Sequence, residues 1–458
     1  MAITRRQFVT RLGALAAAAG FSQAQASKIM EALAYTDPGV YKGTFGKPRV
    51  VWIHGAECTG CSTSLLSIFE NTAGEAIYKS GITSATALGL AGVFPTDNGN
   101  ASDMQFLLHA PQPNAPLGLS PDPDGSMDIA DVVIDVLDII YHETIMGMGG
   151  DLAYQWLTTF STTNTAPFVL VVEGALQDKT NGGAWDDSST NSKAVPWCSI
   201  GMNGTTNTTG NAAEIDMPEM ATTLANLALC VSVIGVGQCA TFGGYPGCKP
   251  PLTPTAAGFD TNLSQTEAVG IYDHLVATGV AGVANKVINV PGCPTNPWWL
   301  VLSVACILVD IGNANMLGVL KSISPTANNA LGLEANVGGA GVDVDRRITY
   351  VYGVAGVHGM YCPRYGDYVK GKYAAQAGQA GCLQKIGCKG PAAFSLCGVH
   401  GWNNQQPTNP VAWDHGTSHA NLSPNGTPTG GHCTRAGHPC MACTEKGYPD
   451  SFVPFVVR

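Results

Sequence analysis

Apolar positions along this chain gather into short β-branched runs separated by stretches of helical period. Val50-Val51-Trp52-Ile53, Phe168-Val169-Leu170-Val171-Val172, Val231-Ser232-Val233-Ile234 and Val287-Ile288-Asn289-Val290 each read as a strand buried on both faces. Helices are predicted over Ser62 to Glu70, Met217 to Leu229 and Gln265 to Thr278. Strands separated by helices predict an α/β domain with a parallel sheet over roughly 46–310. In such a sheet the loops after the carboxyl ends of the strands converge on one crevice. Those loops are Gly55 to Cys61, Glu173-Gly174-Ala175, Gly235 to Cys239 and Pro291 to Pro294, and three of the four carry cysteine. The longest apolar run, Trp298 to Val309, has 12 residues including a serine. It falls short of the ~20 that span a bilayer, so it predicts a buried helix, and no membrane-spanning segment is expected in the mature chain. From about 343 to the end, periodicity gives way to dense Cys, Gly and Pro. That pattern predicts a small irregular domain, 343–458, held together by bound metal more than by an apolar core. Residues 181–215 and 400–432, rich in Asn, Thr, Gly and Pro, read as surface excursions.

Composition sharpens this picture. The 15 cysteines are odd in number and many are closely spaced, which suits metal ligation better than a disulfide framework. Charged residues make up 12% of the 458, about half the usual ~25%, as expected if a partner covers much of the surface. A formal charge of −10 excludes a nucleic-acid binder, which needs a basic footprint. The N-terminus reads Arg5-Arg6, then a mildly apolar stretch from Leu12 to Phe21, then Ala24-Gln25-Ala26, with Ala32-Leu33-Ala34 as a second cleavage candidate. This order marks a twin-arginine signal over 1–34 and export of an already folded protein to the periplasm, where it could sit peripheral to the membrane. Its removal takes away four basic residues and one acidic residue, moving the charge from −10 to −13.

Iron–sulfur clusters need thiolates that reach one compact inorganic core, so their ligands come as short-spaced pairs plus remote cysteines brought in by the fold. Cys58 and Cys61 form such a pair, with Cys239 and Cys293 as strand-end partners. A bare C-x-x-C also suits zinc or a redox dithiol.

Seven segments together resemble one family, the small electron-transfer subunits of nickel–iron hydrogenases. They are Gly55 to Ser62, Tyr141 to Met146, Val172 to Ala175, Cys239 to Gly244, Pro291 to Pro294, Gly387 to Pro391 and Ala436 to Cys443. The resemblance implies a flavodoxin-like N-terminal domain with a proximal 4Fe-4S cluster on Cys58, Cys61, Cys239 and Cys293. It implies an irregular C-terminal domain with a distal cluster on His358, Cys362, Cys382 and Cys388. The family places two residues between that histidine and cysteine, whereas three separate His358 from Cys362, and an ordinary loop histidine is the competing assignment. The medial cluster would take Cys397, Cys440 and Cys443. Cys433 stands where many members carry a proline and a 3Fe-4S centre, so a fourth thiolate and a medial 4Fe-4S cluster are expected, as in the selenium-containing branch. A free Cys433 beside a 3Fe-4S centre is the alternative.

Oxygen-tolerant relatives add two cysteines near the proximal cluster, at positions that are Gly60 and Gly244 here, so an ordinary proximal cluster is expected. Cys230 and Cys306 read as core residues, while Cys198 and Cys248 have no assigned role. Glu57 is either a proton relay at a subunit interface or a carboxylate satisfied by backbone amides. His142-Glu143 reads as a structural hydrogen-bonding pair. The aspartates from Asp122 to Asp138 read as a solvated face, with docking of a basic cytochrome as the weaker option.

The implied function is that of an uptake hydrogenase. Hydrogen is oxidised in a large subunit that bears the nickel–iron centre, and electrons leave through three clusters to an external acceptor, a cytochrome. The alternative is a standalone multi-cluster iron–sulfur electron carrier, or a structural metal protein, with no hydrogenase partner.

Overall fold

The computed structural model describes residues 49–66, 137–177, 184–185, 195–202, 214–248, 267–312, 319–320, 341–349, 351–352, 362, 364–395, 397 and 432–456. The signal segment, His358 and the acidic stretch up to residue 136 lie outside the described residues.

Five strands form one sheet: β1 (Arg49–His54), β2 (Asp138–His142), β3 (Phe168–Glu173), β4 (Cys230–Val236) and β5 (Val287–Val290). All neighbours are parallel, in the order β2-β1-β3-β4-β5. This is the flavodoxin-like doubly wound order, with its topological switch between β1 and β3. The four strands legible as β-branched runs are buried on both faces, and β3 is buried at every position. The fifth, β2, is an edge strand with an exposed Asp138, too short and polar at its start to declare itself.

Helices α1 (Gly60–Leu66), α2 (Gly150–Thr163), α3 (Met217–Asn226), α4 (Gly237–Phe242), α5 (Ile271–Ala277) and α6 (Pro297–Gly312) accompany the sheet. The apolar run at 298–309 is part of α6, and no described helix is long and apolar enough to cross a membrane. Helix α2 was not foreseen, because its threonines dilute the pattern, although Ala153, Leu157 and Phe160 line one buried face at helical spacing. Helix α5 starts at Ile271, later than the periodicity predicts. Val269 instead pairs with Leu176 through main-chain bonds of 2.8 and 2.9 Å, and Gly270 packs so tightly on Thr241 that a Cβ there would lie 2.1 Å from its carbonyl oxygen.

Among the described residues the C-terminal part holds one short helix, α7 (Tyr365–Val369), two 3-10 turns and a small core of Ala374, Leu383 and Ile386. Arg347, buried, ties the start of this part to its end. Its Nε donates to Asp343 Oδ2 (2.7 Å), its Nη1 donates to Thr444 O (2.9 Å) and Glu445 Oε2 (2.8 Å), and its guanidinium covers the Tyr352 ring. Tyr352 in turn donates to Pro291 O in the loop after β5 (2.8 Å), and Gln238 Nε2 donates to Glu445 O (2.9 Å).

Candidate metal centres

The carboxyl ends of β1, β3, β4 and β5 deliver their loops to one place, and four cysteines meet there. Cys58 and Cys61 follow β1, Cys239 lies in α4 directly after β4, and Cys293 follows β5. Burial pushes the Cys239 and Cys293 thiols up to about 12, with neighbouring thiols adding to the effect: Cys293 and Cys58 act on Cys239, and Cys443 and Cys58 on Cys293. Burial also raises Cys61 well above the ordinary thiol range, with Glu173, Cys239 and Cys293 contributing. Cys58 is exposed, Cys239 and Cys293 half-buried and Cys61 buried; as thiolates the four would repel one another, and a coordinated metal offsets that charge and deprotonates them. The donor set therefore fits an iron–sulfur core.

Glycines shape the space around these thiols. A Cβ at Gly60 would lie 3.0 Å from Cys58 Sγ, one at Gly244 2.9 Å from Cys239 Sγ, and one at Gly237 2.4 Å from Cys61 Sγ. Gly60 and Gly244 are the two positions at which oxygen-tolerant relatives would carry extra cysteines, and both abut proposed ligand sulfurs. Gly237 also has φ +82°, which only glycine adopts without strain. Gly237→Ala is expected to lose about four iron atoms per chain, one cubane, by elemental analysis. Gly279→Ala is the control, at φ +75° with nothing within 4 Å of the added Cβ, and should keep its iron. Equal iron in both variants would refute the cradle.

Glu173, at the end of β3, orients the C-x-x-C turn, a role the residue's sequence context did not disclose. Its Oε1 accepts from the N–H groups of Cys61 (2.9 Å) and Ser62 (3.1 Å), and its Oε2 accepts from Ser62 Oγ (2.5 Å) and Trp52 Nε1 (3.2 Å). With four donors on it, Glu173 has little capacity left for a metal, although it lies close to His54 and Glu57. His142 Nδ1 accepts from Thr144 N (3.2 Å), so its Nε2 carries the proton toward Ser62 Oγ (3.2 Å). Burial lowers His142 to about 3, keeping it neutral, and Glu143 Oε1 accepts from His54 N (3.0 Å). This pair is thus built into the hydrogen-bonding scaffold. Glu57 is held by side chains and not by backbone amides: Oε1 meets His54 Nδ1 (3.1 Å) and Thr59 Oγ1 (3.0 Å), and Oε2 is buried without a partner among the described residues.

A second group gathers Cys397, Cys433, Cys440 and Cys443. Burial raises the Cys433 thiol well above its ordinary range, with Cys443 and Cys397 its nearest electrostatic influences; Cys433 and Cys397 act likewise on Cys440. Burial pushes Cys443 up to about 12, with Cys397 adding to it, while a main-chain hydrogen bond from Cys293 opposes the shift. A third group joins Cys362, Cys382 and Cys388, which influence one another. Arg364, fully buried, sits beside all three. Its Nη1 donates to Gln379 O (2.5 Å) and Gly381 O (2.6 Å), its Nε to Thr434 O (2.5 Å), and its Nη2 has no partner among the described residues. A buried cation with a spare donor fits a site that accumulates thiolate charge. Neither Arg364 nor Arg347 carried a motif; only their burial marks them.

The three groups are contiguous. Cys293 of the first influences Cys443 of the second, and Cys440 N donates to Cys388 Sγ of the third (3.2 Å). The remaining thiols stand apart. Cys230 and Cys306 are buried in the core, Cys198 packs against it, and Cys248 has Asp450 as its charged neighbour.

Fold and site together define a flavodoxin-like α/β protein whose strand-end loops and C-terminal part gather cysteines in three adjoining groups. Comparison with known proteins narrows the class. Residues 355–418 match the family described as the C-terminal region of the NiFe/NiFeSe hydrogenase small subunit, and residues 123–307 match NADH ubiquinone oxidoreductase, 20 Kd subunit. The periplasmic [NiFeSe] hydrogenase small subunit of Desulfomicrobium baculatum is 22% identical over 100% of this chain and 99% of its own length. The F420 non-reducing hydrogenase II small subunit of Methanosarcina mazei is 24% identical over 99% of this chain and 84% of its own. A crystal structure of the D. baculatum Ni-Fe-Se hydrogenase superposes with a TM-score of 0.53 at 21% identity, covering 90% of this chain and 99% of that one. The chain is thus similar over nearly its whole length to nickel–iron hydrogenase small subunits, and residues 355–418 match the model of their C-terminal region.

Proposed function

We propose that this chain is the electron-transfer small subunit of a periplasmic nickel–iron uptake hydrogenase, paired with a large subunit that bears the nickel–iron centre. When bound, three 4Fe-4S clusters would supply one-electron transfer from hydrogen oxidation in the partner to an external acceptor. The observation that carries this reading is the contiguity of the three cysteine groups, linked by Cys293 with Cys443 and by Cys440 with Cys388.

Cys58, Cys61, Cys239 and Cys293 would hold the proximal cluster. Cys397, Cys433, Cys440 and Cys443 would hold the medial one, and Cys362, Cys382 and Cys388, with His358, the distal one. Glu173 keeps Cys61 in register, the glycines leave room for the core, and Arg364 offsets negative charge at the distal group. The domain limits 46–310 and 343–458, and folded export on the signal over 1–34, belong to the same proposal. The periplasmic names of two relatives support the compartment.

Purification without a tag on the partner tests the reading. A nickel-containing large subunit should be recovered with this chain, and about 12 iron atoms should be bound to the chain itself. Recovery of this chain alone with its iron would favour the standalone carrier, and zinc in place of iron would favour the structural metal protein.

A further inference from the structure

The sequence is acidic as a whole, yet between Asp345 and Asp414 it carries a single carboxylate, Asp367, against seven basic residues. Four of the seven are lysines, and the fold sets them around the distal cysteines. Lys370, Lys372 and Lys385 are exposed and Lys389 is half-buried. Lys372 O accepts from Cys382 N (2.8 Å), and Lys389 directly follows Cys388. Tyrosines fill the ground between them. Tyr365, whose N–H donates to Cys362 O (3.0 Å), stacks on Tyr368. Tyr368 meets Tyr373 edge-on, and Lys385 Nζ lies 4.4 Å from the Tyr373 ring centre. Val369 between them is 66% exposed. Asp367, the one carboxylate in this stretch of sequence, is half-buried.

Aromatic and apolar contact ringed by one sign of charge is the composition of a protein-docking surface, and the sign selects the partner. We propose that this lysine–tyrosine face is the docking site for an acidic one-electron carrier protein, one whose redox centre lies near a surface rich in carboxylates. The proposal rests on the electron-transfer function above and specifies its acceptor. It departs from the expectation of a basic cytochrome docked on the aspartate stretch. The lysines would steer such a carrier into an encounter with the distal group, and the tyrosines would supply the close contact. Redox encounters of this kind use small interfaces, under ~1,200 Å², which a patch of this extent can provide.

The test uses the purified heterodimer, with plant-type 2Fe-2S ferredoxin as the acidic probe and horse-heart cytochrome c as the basic one. Binding is measured by biolayer interferometry for the wild type and for the triple variant Lys370→Glu, Lys372→Glu, Lys385→Glu. At ~0.01 M salt, where charges act over about 30 Å, the wild type should bind ferredoxin at least tenfold more tightly than the variant does. At ~1 M, where they act over about 3 Å, the difference should vanish. Hydrogen–deuterium exchange, which needs no external acceptor, should be equal in the two proteins. Preference of the wild type for cytochrome c, ferredoxin binding indifferent to salt, or ferredoxin binding unchanged in the variant would overturn the docking proposal while leaving the hydrogenase function intact. Loss of the large subunit from the variant would overturn it too, by assigning the patch to the subunit interface. Absence of exchange in the wild type would instead bring down the function on which the proposal rests.

Discussion

Cys433→Ala is expected to lower the iron of the small subunit from about 12 to about 11 and to leave a three-iron centre at the medial group. The oxidised, air-free heterodimer should then show the electron paramagnetic resonance signal of a 3Fe-4S cluster in stoichiometric amount, which the wild type should lack. Burial raises the Cys433 thiol, with Cys443 and Cys397 its largest charged influences, and Cys433 is in turn the largest such influence on Cys440. A thiol placed so can retain the corner iron that a proline or alanine leaves without a ligand. A stoichiometric three-iron signal in the oxidised wild type would show that Cys433 stands beside the cluster as a free thiol.

Arg347→Met should be the most destabilising single change in the C-terminal part. The substitution strands Asp343 and Glu445, both buried, without their shared cation; breaking a buried pair in this way costs about 3–5 kcal/mol. It also removes the donor to Thr444 O beside the ligand candidate Cys443, so medial iron should be lost with stability. Arg347→Lys should rescue little, because one ammonium cannot reproduce a guanidinium fork that reaches Asp343, Thr444 and Glu445 together. Lys446→Met is the control. Lys446 is 61% exposed and 3.8 Å from Asp345, a surface pair worth about 0–1 kcal/mol. Urea denaturation of the heterodimer, followed by circular dichroism, compares them. Similar midpoints for Arg347→Met and Lys446→Met would show that the buried triad does not hold the C-terminal part together.

Much of the sheet was legible because a strand buried on both faces must be apolar at nearly every step, and the runs at 50–53 and 168–172 satisfy that throughout. Strand β2 was not, since an edge strand can begin with a solvated Asp138 and still pair along one side. The late start of α5 could not be read either: the periodicity continues upstream, but pairing of Val269 with Leu176 outweighs extra helical turns. The cysteines were legible for a different reason. Few chemistries use so many thiols at short spacing, and strand-end loops converge by topology, so Cys58, Cys61, Cys239 and Cys293 could be grouped before any coordinates.

The sequence by itself determined the chain's kind: parallel α/β topology, cysteines grouped at metal-ligand spacing, and a low share of charged residues. Those properties follow from residue type and period, which are local. The tertiary structure alone decided which polar groups are buried and whom they serve. Glu173 holds the C-x-x-C turn, Arg347 reaches a carboxylate 98 positions away, Arg364 faces three thiols, and three lysines beside the distal cysteines are exposed. A carboxylate or guanidinium looks the same in sequence whether solvated or buried, and its energetic role is set by the long-range contacts that remove it from water.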